Sequence, residues 1–250
     1  MARIALISDI HGNLEALEAV LADVETATID RLLCLGDVVG YGPDPVACID
    51  RVFSVCEKVV MGNHDEAAVH ADLHPEFNPV ARRSLEVTRN LLGPRELEQL
   101  RWLPDRARIE GISIAHATFA ANRFAYLYTA ESACESFSNM GTLLGAVGHT
   151  HIPAMITCPA GRLDRLSHVE HCCLTGIEEV RLPSDRMLIL NPGAVGQPRD
   201  RNPKASWGLL DTDAMTFAIR RVEYDIEAVV AKIKALGMPE YHGERLRTGV

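Results

Sequence analysis

Residues 4–13 read IALISDIHGN. The apolar run Ile4 to Ile7 has the character of a buried strand, and it stops abruptly at a polar turn. Asp9 and His11 thereby put a carboxylate and an imidazole just past the strand's carboxyl end, where open α/β sheets hold their ligands. The same grammar recurs in LLCLGD (Leu32–Asp37), KVVMGNHD (Lys58–Asp65), ISIAH (Ile112–His116) and LLGAVGHTH (Leu143–His151). Each of these apolar runs ends in side chains able to bind a metal.

Around these runs the chain spells out alternating elements. Leu14, Leu17, Val20, Leu21 and Val24 recur at helical spacing behind Asn13, an N-cap, so strand, ligand loop and helix form a βα unit. Asp44 and Pro45 open a second helix as N-cap and N1 proline, with Val46, Ile49, Val52 and Phe53 on one face. After GNHD the pattern turns mostly helical over about residues 66–104, with starts at Asn78-Pro79 and Gly93-Pro94 and a stop at Pro104. This insertion is expected to cap the site, within a single domain of residues 1–250. Arg106 to Ala115 reads as two strands around Glu110-Gly111. The loop from Ala117 to Tyr128 carries Phe119, Phe124, Tyr126 and Tyr128, for which core packing is the expected role. Strands are expected near 154–157, 169–174, 179–182, 187–190, 206–210 and 217–222, read as a late meander. A final amphipathic helix capped by Asp225 is expected to end at Gly237. Helical units early and strands late predict two packed sheets with helices outside.

Composition narrows the classes of function. With 250 residues, 47% of them hydrophobic, the chain can bury a substantial core. No apolar run reaches the roughly 18 residues of a membrane span, and no cleavable leader pattern precedes the first strand, so a cytoplasmic protein is expected. The seven cysteines show no zinc or CxxC spacing and are expected to be reduced, buried thiols. A net charge of −9 and a pI near 5.6 disfavour an extended nucleic-acid surface, while leaving local binding of small anions open. A homo-oligomer also remains open.

Asp9, His11, Asp37, Asn63, His116, His149 and His151 offer oxygen and imidazole nitrogen without thiolate, a donor set that suits Mn²⁺, Fe, Ni²⁺, Co²⁺ or Zn²⁺. Taken singly, each has an ordinary reading as a turn residue, a helix cap or a core histidine. Together at successive strand ends they make a metal site, and they exceed the needs of one ion. Two ions sharing one carboxylate fit the number of ligands, and such pairs clamp the attacking and leaving oxygens of a phosphoryl displacement. Two divalent ions against Asp9 and Asp37 leave about two positive charges, or about one with a bridging hydroxide, so a phosphate is attracted.

DIHGN, GDVV, GNHD, an isolated His116 and GHTH, in that order, resemble the calcineurin-like metallophosphoesterase superfamily. YGPDP after GD and LNPGAVGQPRD near Asn191 are similar to its small phosphodiesterases of the YfcE type. The resemblance implies an α/β four-layer αββα sandwich of two mixed sheets and two divalent metal ions per chain, Mn²⁺ first among them. It implies that Asp9, His11, Asp37 and His151 hold one ion and that Asp37, Asn63, His116 and His149 hold the other, with Asp37 bridging. Asn63 and His64 would contact substrate, and His64 would bind the scissile phosphate and assist the leaving group. Histidine's titration near neutrality suits that task.

Some positions depart from the wider pattern. GDVVGYG lacks the arginine found shortly after GD in protein phosphatases and dinucleoside tetraphosphatases, and the acid that would pair with His64 is missing. Ala194 stands where the subgroup often has serine. Arg199 and Arg201 are candidates for touching substrate, with an ordinary solvated loop as the expected setting. The expected activity is hydrolysis of a small phosphate ester, most simply a phosphodiester. Phosphomonoesterase or nucleotide phosphatase activity, and a non-catalytic scaffold of the same fold, are the alternatives. A scaffold tolerates loss of ligands, whereas here every position is filled.

Overall fold

The first strand, β1 (Arg3–Ile7), accounts for the layering of the molecule. Side chains alternate across a strand, so Ile4 and Leu6 face one way and Ala5 and Ile7 the other, yet all four are fully buried. Ile4 and Leu6 enter a core shared with Ile114, Leu188 and Leu190. Ala5 and Ile7 enter another with Leu17, Val20 and Ile49. A strand covered on both faces needs a second sheet on one side and helices on the other.

The computed structural model describes residues 2–161 and 166–250. After β1 come α1 (Leu14–Thr26), β2 (Arg31–Cys34), α2 (Pro45–Val55) and β3 (Lys58–Val59). A helical stretch follows: α3 (Asn63–Val69), a 3-10 turn (Ala71–Glu76), α4 (Pro79–Leu91) and α5 (Pro94–Arg101). Next are β4 (Arg106–Ile109), β5 (Ile112–Ala115), α6 (Ala130–Met140), β6 (Leu144–Ala146), β7 (Ala154–Pro159) and β8 (Glu170–Cys173). The chain continues through β9 (Glu179–Arg181), β10 (Arg186–Asn191), β11 (Ala205–Asp211), β12 (Thr216–Val222), α7 (Ile226–Ala235) and α8 (Glu240–Thr248).

Two mixed sheets result, in the orders β3-β2-β1-β11-β12-β9 and β4-β5-β6-β10-β7-β8. In the first, β1, β2 and β3 run parallel, so the loops after them emerge at one edge. In the second, β5 and β6 run parallel, which brings the loop at His116 beside the loop at His149. Phe119, Phe137, Met140 and Ile189 form a further core under α6, completing the outer layer of the second sheet. The order of layers is helices, sheet, sheet, helices, as expected.

The late strands do not form a meander. β7, β8 and β10 join the second sheet, while β9, β11 and β12 join the first. Alternating patterns set which face of a strand is apolar, and they carry no label for the sheet that will cover it. Nor is α7 the last helix. The chain turns at Gly237, with φ +63°, and continues into α8. Asn13 caps α1 as expected, accepting from the Ala16 N–H at 3.1 Å. Asp44 makes no side-chain cap and instead accepts from Lys232 Nζ of α7 at 2.8 Å. Cys172 and Cys173 on β8 are exposed, unlike the other cysteines, which are buried or half-buried. No helix among the described residues is long and apolar enough to cross a membrane.

Candidate active site

The backbone around the expected ligands is held in an unusual state. Asp9, His11, Asp37, His149 and His151 all have positive φ, between 50° and 65°. That conformation costs a non-glycine residue on the order of 1–3 kcal/mol, and it persists only where surrounding bonds fix it. Here the Asp9 N–H donates to Gly36 O at 3.0 Å and the His11 N–H to Asp37 O at 2.9 Å, while the Gly196 N–H donates to Asp9 O at 2.8 Å. Two motif glycines allow the loops to close. A Cβ on Gly62 would lie 2.0 Å from Asp37 Oδ1, and one on Gly148 would lie 1.8 Å from Ser8 Oγ. Asp65 then fastens two loops, accepting from the N–H groups of Val38 at 2.9 Å, Val39 at 3.1 Å and Gly62 at 3.1 Å. Burial, with Asp37 adding to it, pushes the Asp65 carboxyl up to about 7.

Second-layer carbonyls settle where the imidazole protons sit. A carbonyl can only accept, so His11 Nδ1 donates to Val39 O at 3.1 Å, His116 Nδ1 to Leu35 O at 2.8 Å and His151 Nδ1 to Gln197 O at 2.5 Å. In the neutral rings each Nε2 is therefore a bare lone pair. His11 Nε2 and His151 Nε2 lie 3.2 Å apart, two lone pairs aimed at one point with no proton between them. His116 Nε2 faces His149 Nδ1 at 3.2 Å. The carbonyls thus do what the partners of metal-bound histidines do: they fix the tautomer that leaves the ligand nitrogen free.

Of three groups of ligand atoms, one, His11 with Asp37 and His64, shares a residue with each of the other two, Asp9 with His11 and His151 and Asp37 with His116 and His149, and the atoms within each group lie within 4.8 Å of one another. Asp37 adjoins both, its Oδ2 being 3.3 Å from His116 Nε2 and 3.6 Å from His11 Nε2. Asn63 Oδ1, Asp9 Oδ1 and His149 Nε2 are buried without a hydrogen-bond partner.

Electrostatics favour a cation at each group. Burial alone would raise the carboxyls of Asp9 and Asp37, but the surrounding imidazoles, His151 foremost for Asp9 and His116 for Asp37, hold both below the usual carboxylate range. Burial pushes the rings of His11 and His151 down and His149 down to about 3, so these stay neutral. His116 is also pressed down by burial, yet the Asp37 carboxylate prevails and lifts it to about 9, so a proton is held where a cation could stand. Two buried carboxylates among mostly neutral rings are costly unless compensated. The donor set and its orphaned atoms fit divalent metal ions.

A cavity of about 320 Å³ opens over these atoms. His64 lines it. Burial takes the His64 ring down to about 4 despite Asp37, so it is neutral at pH 7, unlike the near-neutral titration expected from sequence. Its Nδ1 has no hydrogen-bond partner and packs against Gly40, in agreement with the missing acid. The helical stretch supplies one wall through Leu73, Phe77 and Ala81. The aromatic loop corrects the expectation of core packing. Phe119 is buried, but Phe124 and Tyr126 line the cavity, Tyr126 stacks on His149 at 4.1 Å, and Tyr128 is exposed. Arg199 also lines the cavity rather than a solvated loop, whereas Arg201 is exposed.

Residues 2–215 match the model of the calcineurin-like phosphoesterase superfamily domain. The chain belongs to that superfamily. A calcineurin-like phosphoesterase is a hydrolase of phosphoric esters, and this is the class of the present enzyme. The uncharacterized protein MJ0912 of Methanocaldococcus jannaschii is 34% identical, with 98% of each chain covered. Phosphodiesterase YfcE of Escherichia coli is 26% identical over 93% of this chain and 98% of its own, which bears out the likeness to the YfcE type. The crystal structure of a metallophosphoesterase from Sphaerobacter thermophilus matches 100% of both chains, with a TM-score of 0.86 and 37% identity.

Tyr41, Asp65, Phe77 and Arg199 are members of this phosphoesterase site that the sequence reading did not assign. Tyr41 and Asp65 lie inside the quoted motifs, and Tyr41 packs against His11 at 4.6 Å and His64 at 4.3 Å. A bulky residue between two glycines in GYG is the only local sign of it. Phe77 carries none.

Proposed function

We propose that this phosphoesterase is a metal-dependent phosphodiesterase that hydrolyses a small phosphate ester with two divalent ions, Mn²⁺ being the first candidate. The observation that carries this is the pair of unprotonated imidazole nitrogens of His11 and His151 beside ionised, buried Asp9 and Asp37. Asp9, His11, Asp37 and His151 would hold one ion, and Asp37, Asn63, His116 and His149 the other. When bound, such ions lower the pKa of water to near neutrality and offset phosphate charge. His64, facing the cavity, would donate a hydrogen bond to a phosphate or leaving-group oxygen. Tyr41 and Gly40 fix the plane of that ring. Diester rather than monoester chemistry is favoured by likeness over nearly the whole chain to an enzyme named phosphodiesterase. On this reading residues 1–250 are one domain, with the helices of about 66–104 inserted as a wall of the site. A cytoplasmic location accords with an odd number of cysteines without zinc or CxxC spacing.

Metal analysis of untreated protein, coupled to a panel of phosphodiesters, phosphomonoesters and nucleotides, tests the proposal. About two equivalents of a transition ion and fastest turnover of a diester are expected. Faster turnover of monoesters throughout the panel would overturn the diester assignment.

A further inference from the structure

Arg199 stands out among the residues that line the cavity. Among the described residues it is the one lysine or arginine lining the cavity. Its backbone N–H donates to His151 O at 3.2 Å, which ties its position to a metal-capable histidine. Its Nη2 donates to Gln197 Oε1 at 3.0 Å, and its guanidinium carbon lies 5.8 Å from the Tyr41 ring centroid. The buried Nε has no partner. None of the ion pairs among the described residues includes Arg199, whereas Arg123, Arg186 and Arg221, also half-buried, each pair with a carboxylate. A guanidinium is planar, permanently charged and shaped for the oxygens of phosphate, and holding it half-buried without an anion is unfavourable.

Other residues lining the cavity have the contrary character. Leu73, Phe77 and Phe124 are apolar, and Glu66 and Glu76 add negative charge. Arg123 adds no free cation there, since it pairs with Glu66 and with Asp105. We infer that Arg199 anchors the phosphate of the substrate, and that the cavity accepts esters with one phosphate and an uncharged, apolar organic group in preference to polyphosphates. The choice of ester rests on the phosphodiesterase reading; the anion anchor does not. Arg199 thereby supplies from the Gln-Pro-Arg loop the cation that is missing after Gly36-Asp37.

The test compares full-length wild type with Arg199→Gln, Arg199→Lys and Arg201→Gln, the last an equal change of charge outside the cavity. Metal content and melting temperature are measured alongside equilibrium binding of inorganic phosphate. Arg199→Gln is expected to weaken phosphate binding about 10- to 100-fold with metal content unchanged, Arg199→Lys to retain part of it, and Arg201→Gln to alter it less than about twofold. The lysine variant decides the case in which Arg199→Gln loses stability through Gln197. In turnover, wild type is expected to prefer an aryl phosphodiester over a dinucleoside tetraphosphate, and Arg199→Gln to lose about 10²-fold in kcat/KM on the diester. Equal phosphate affinity in wild type and both Arg199 variants, no phosphate binding by wild type, or preference for the tetraphosphate would overturn the inference. A protein that hydrolyses no ester but loses phosphate affinity only at position 199 would sink the phosphodiesterase reading and uphold the anchor.

Discussion

Asp37 stands between the two proposed ion sites. Its Oδ1 accepts the His64 N–H at 2.9 Å, while Oδ2 lies within 3.6 Å of imidazole nitrogens from both ligand groups. Asp37→Ala is expected to lose both metal equivalents, whereas Asp9→Ala, which touches one group, should chiefly lose one. Metal stoichiometry measured by elemental analysis decides this, and two tightly held equivalents in Asp37→Ala would rule out bridging. His64 holds neither ion in the proposed assignment, so His64→Ala should keep its metals and fold. If the ring stabilises the departing oxygen, the rate loss should grow with the basicity of the leaving group, reaching on the order of 10²-fold for an alkyl ester. Equal losses across a leaving-group series would instead assign His64 to holding the phosphate.

Among the elements, α8 is the one whose contribution to the site is indirect. It buries His242 against Tyr41, with ring centroids 4.7 Å apart, and its Arg245 donates to Gln197 Oε1 at 3.2 Å. Burial, with positive Arg245 and Arg199 adding to it, pushes the His242 ring down to about 4. The unfolded chain, whose imidazole titrates near 6.5, takes up that proton first, so stability is fully present above about pH 6.5 and declines as pH falls toward 4. His242→Gln removes this contribution. Its stability should fall less steeply over that window, by roughly 3 kcal/mol at pH 4, as read from denaturant midpoints at stepped pH. Parallel curves for the two proteins would show that His242 titrates normally.

At the scale of the whole molecule the site is a seam between sheets. Asp9, His11 and Asp37 follow strands of the first sheet, and His116, His149 and His151 follow strands of the second. Cations there would join the two halves as well as serve chemistry. Chelation is therefore expected to abolish aryl phosphodiesterase activity and to lower the melting temperature, with Mn²⁺ restoring both. Ligand binding at about 100 times Kd is worth roughly 2.7 kcal/mol of stability. Full turnover by protein shown to be free of metal would refute the two-ion mechanism.

The sequence by itself determined most of the elements, α6 and α8 aside, and the candidate donor set. Continuous apolar runs, helical spacing behind Asn13, and ligand types at successive strand ends are local patterns, written within a few residues, and the structure brings those donor residues together. What only the tertiary structure decided depends on contacts between distant residues. Asp44 could bond its own helix or Lys232, which is 188 positions away, and packing chose the lysine. Strands β9 and β10 are neighbours in sequence and lie in different sheets, because each has an apolar face that either sheet could cover. Phe124, Tyr126 and Arg199 read locally as core and solvated loop. They became walls of the site because folding brought the loop after β5, the turn before α4 and the segment before β11 around the same carboxylates, a meeting that no local window of sequence records.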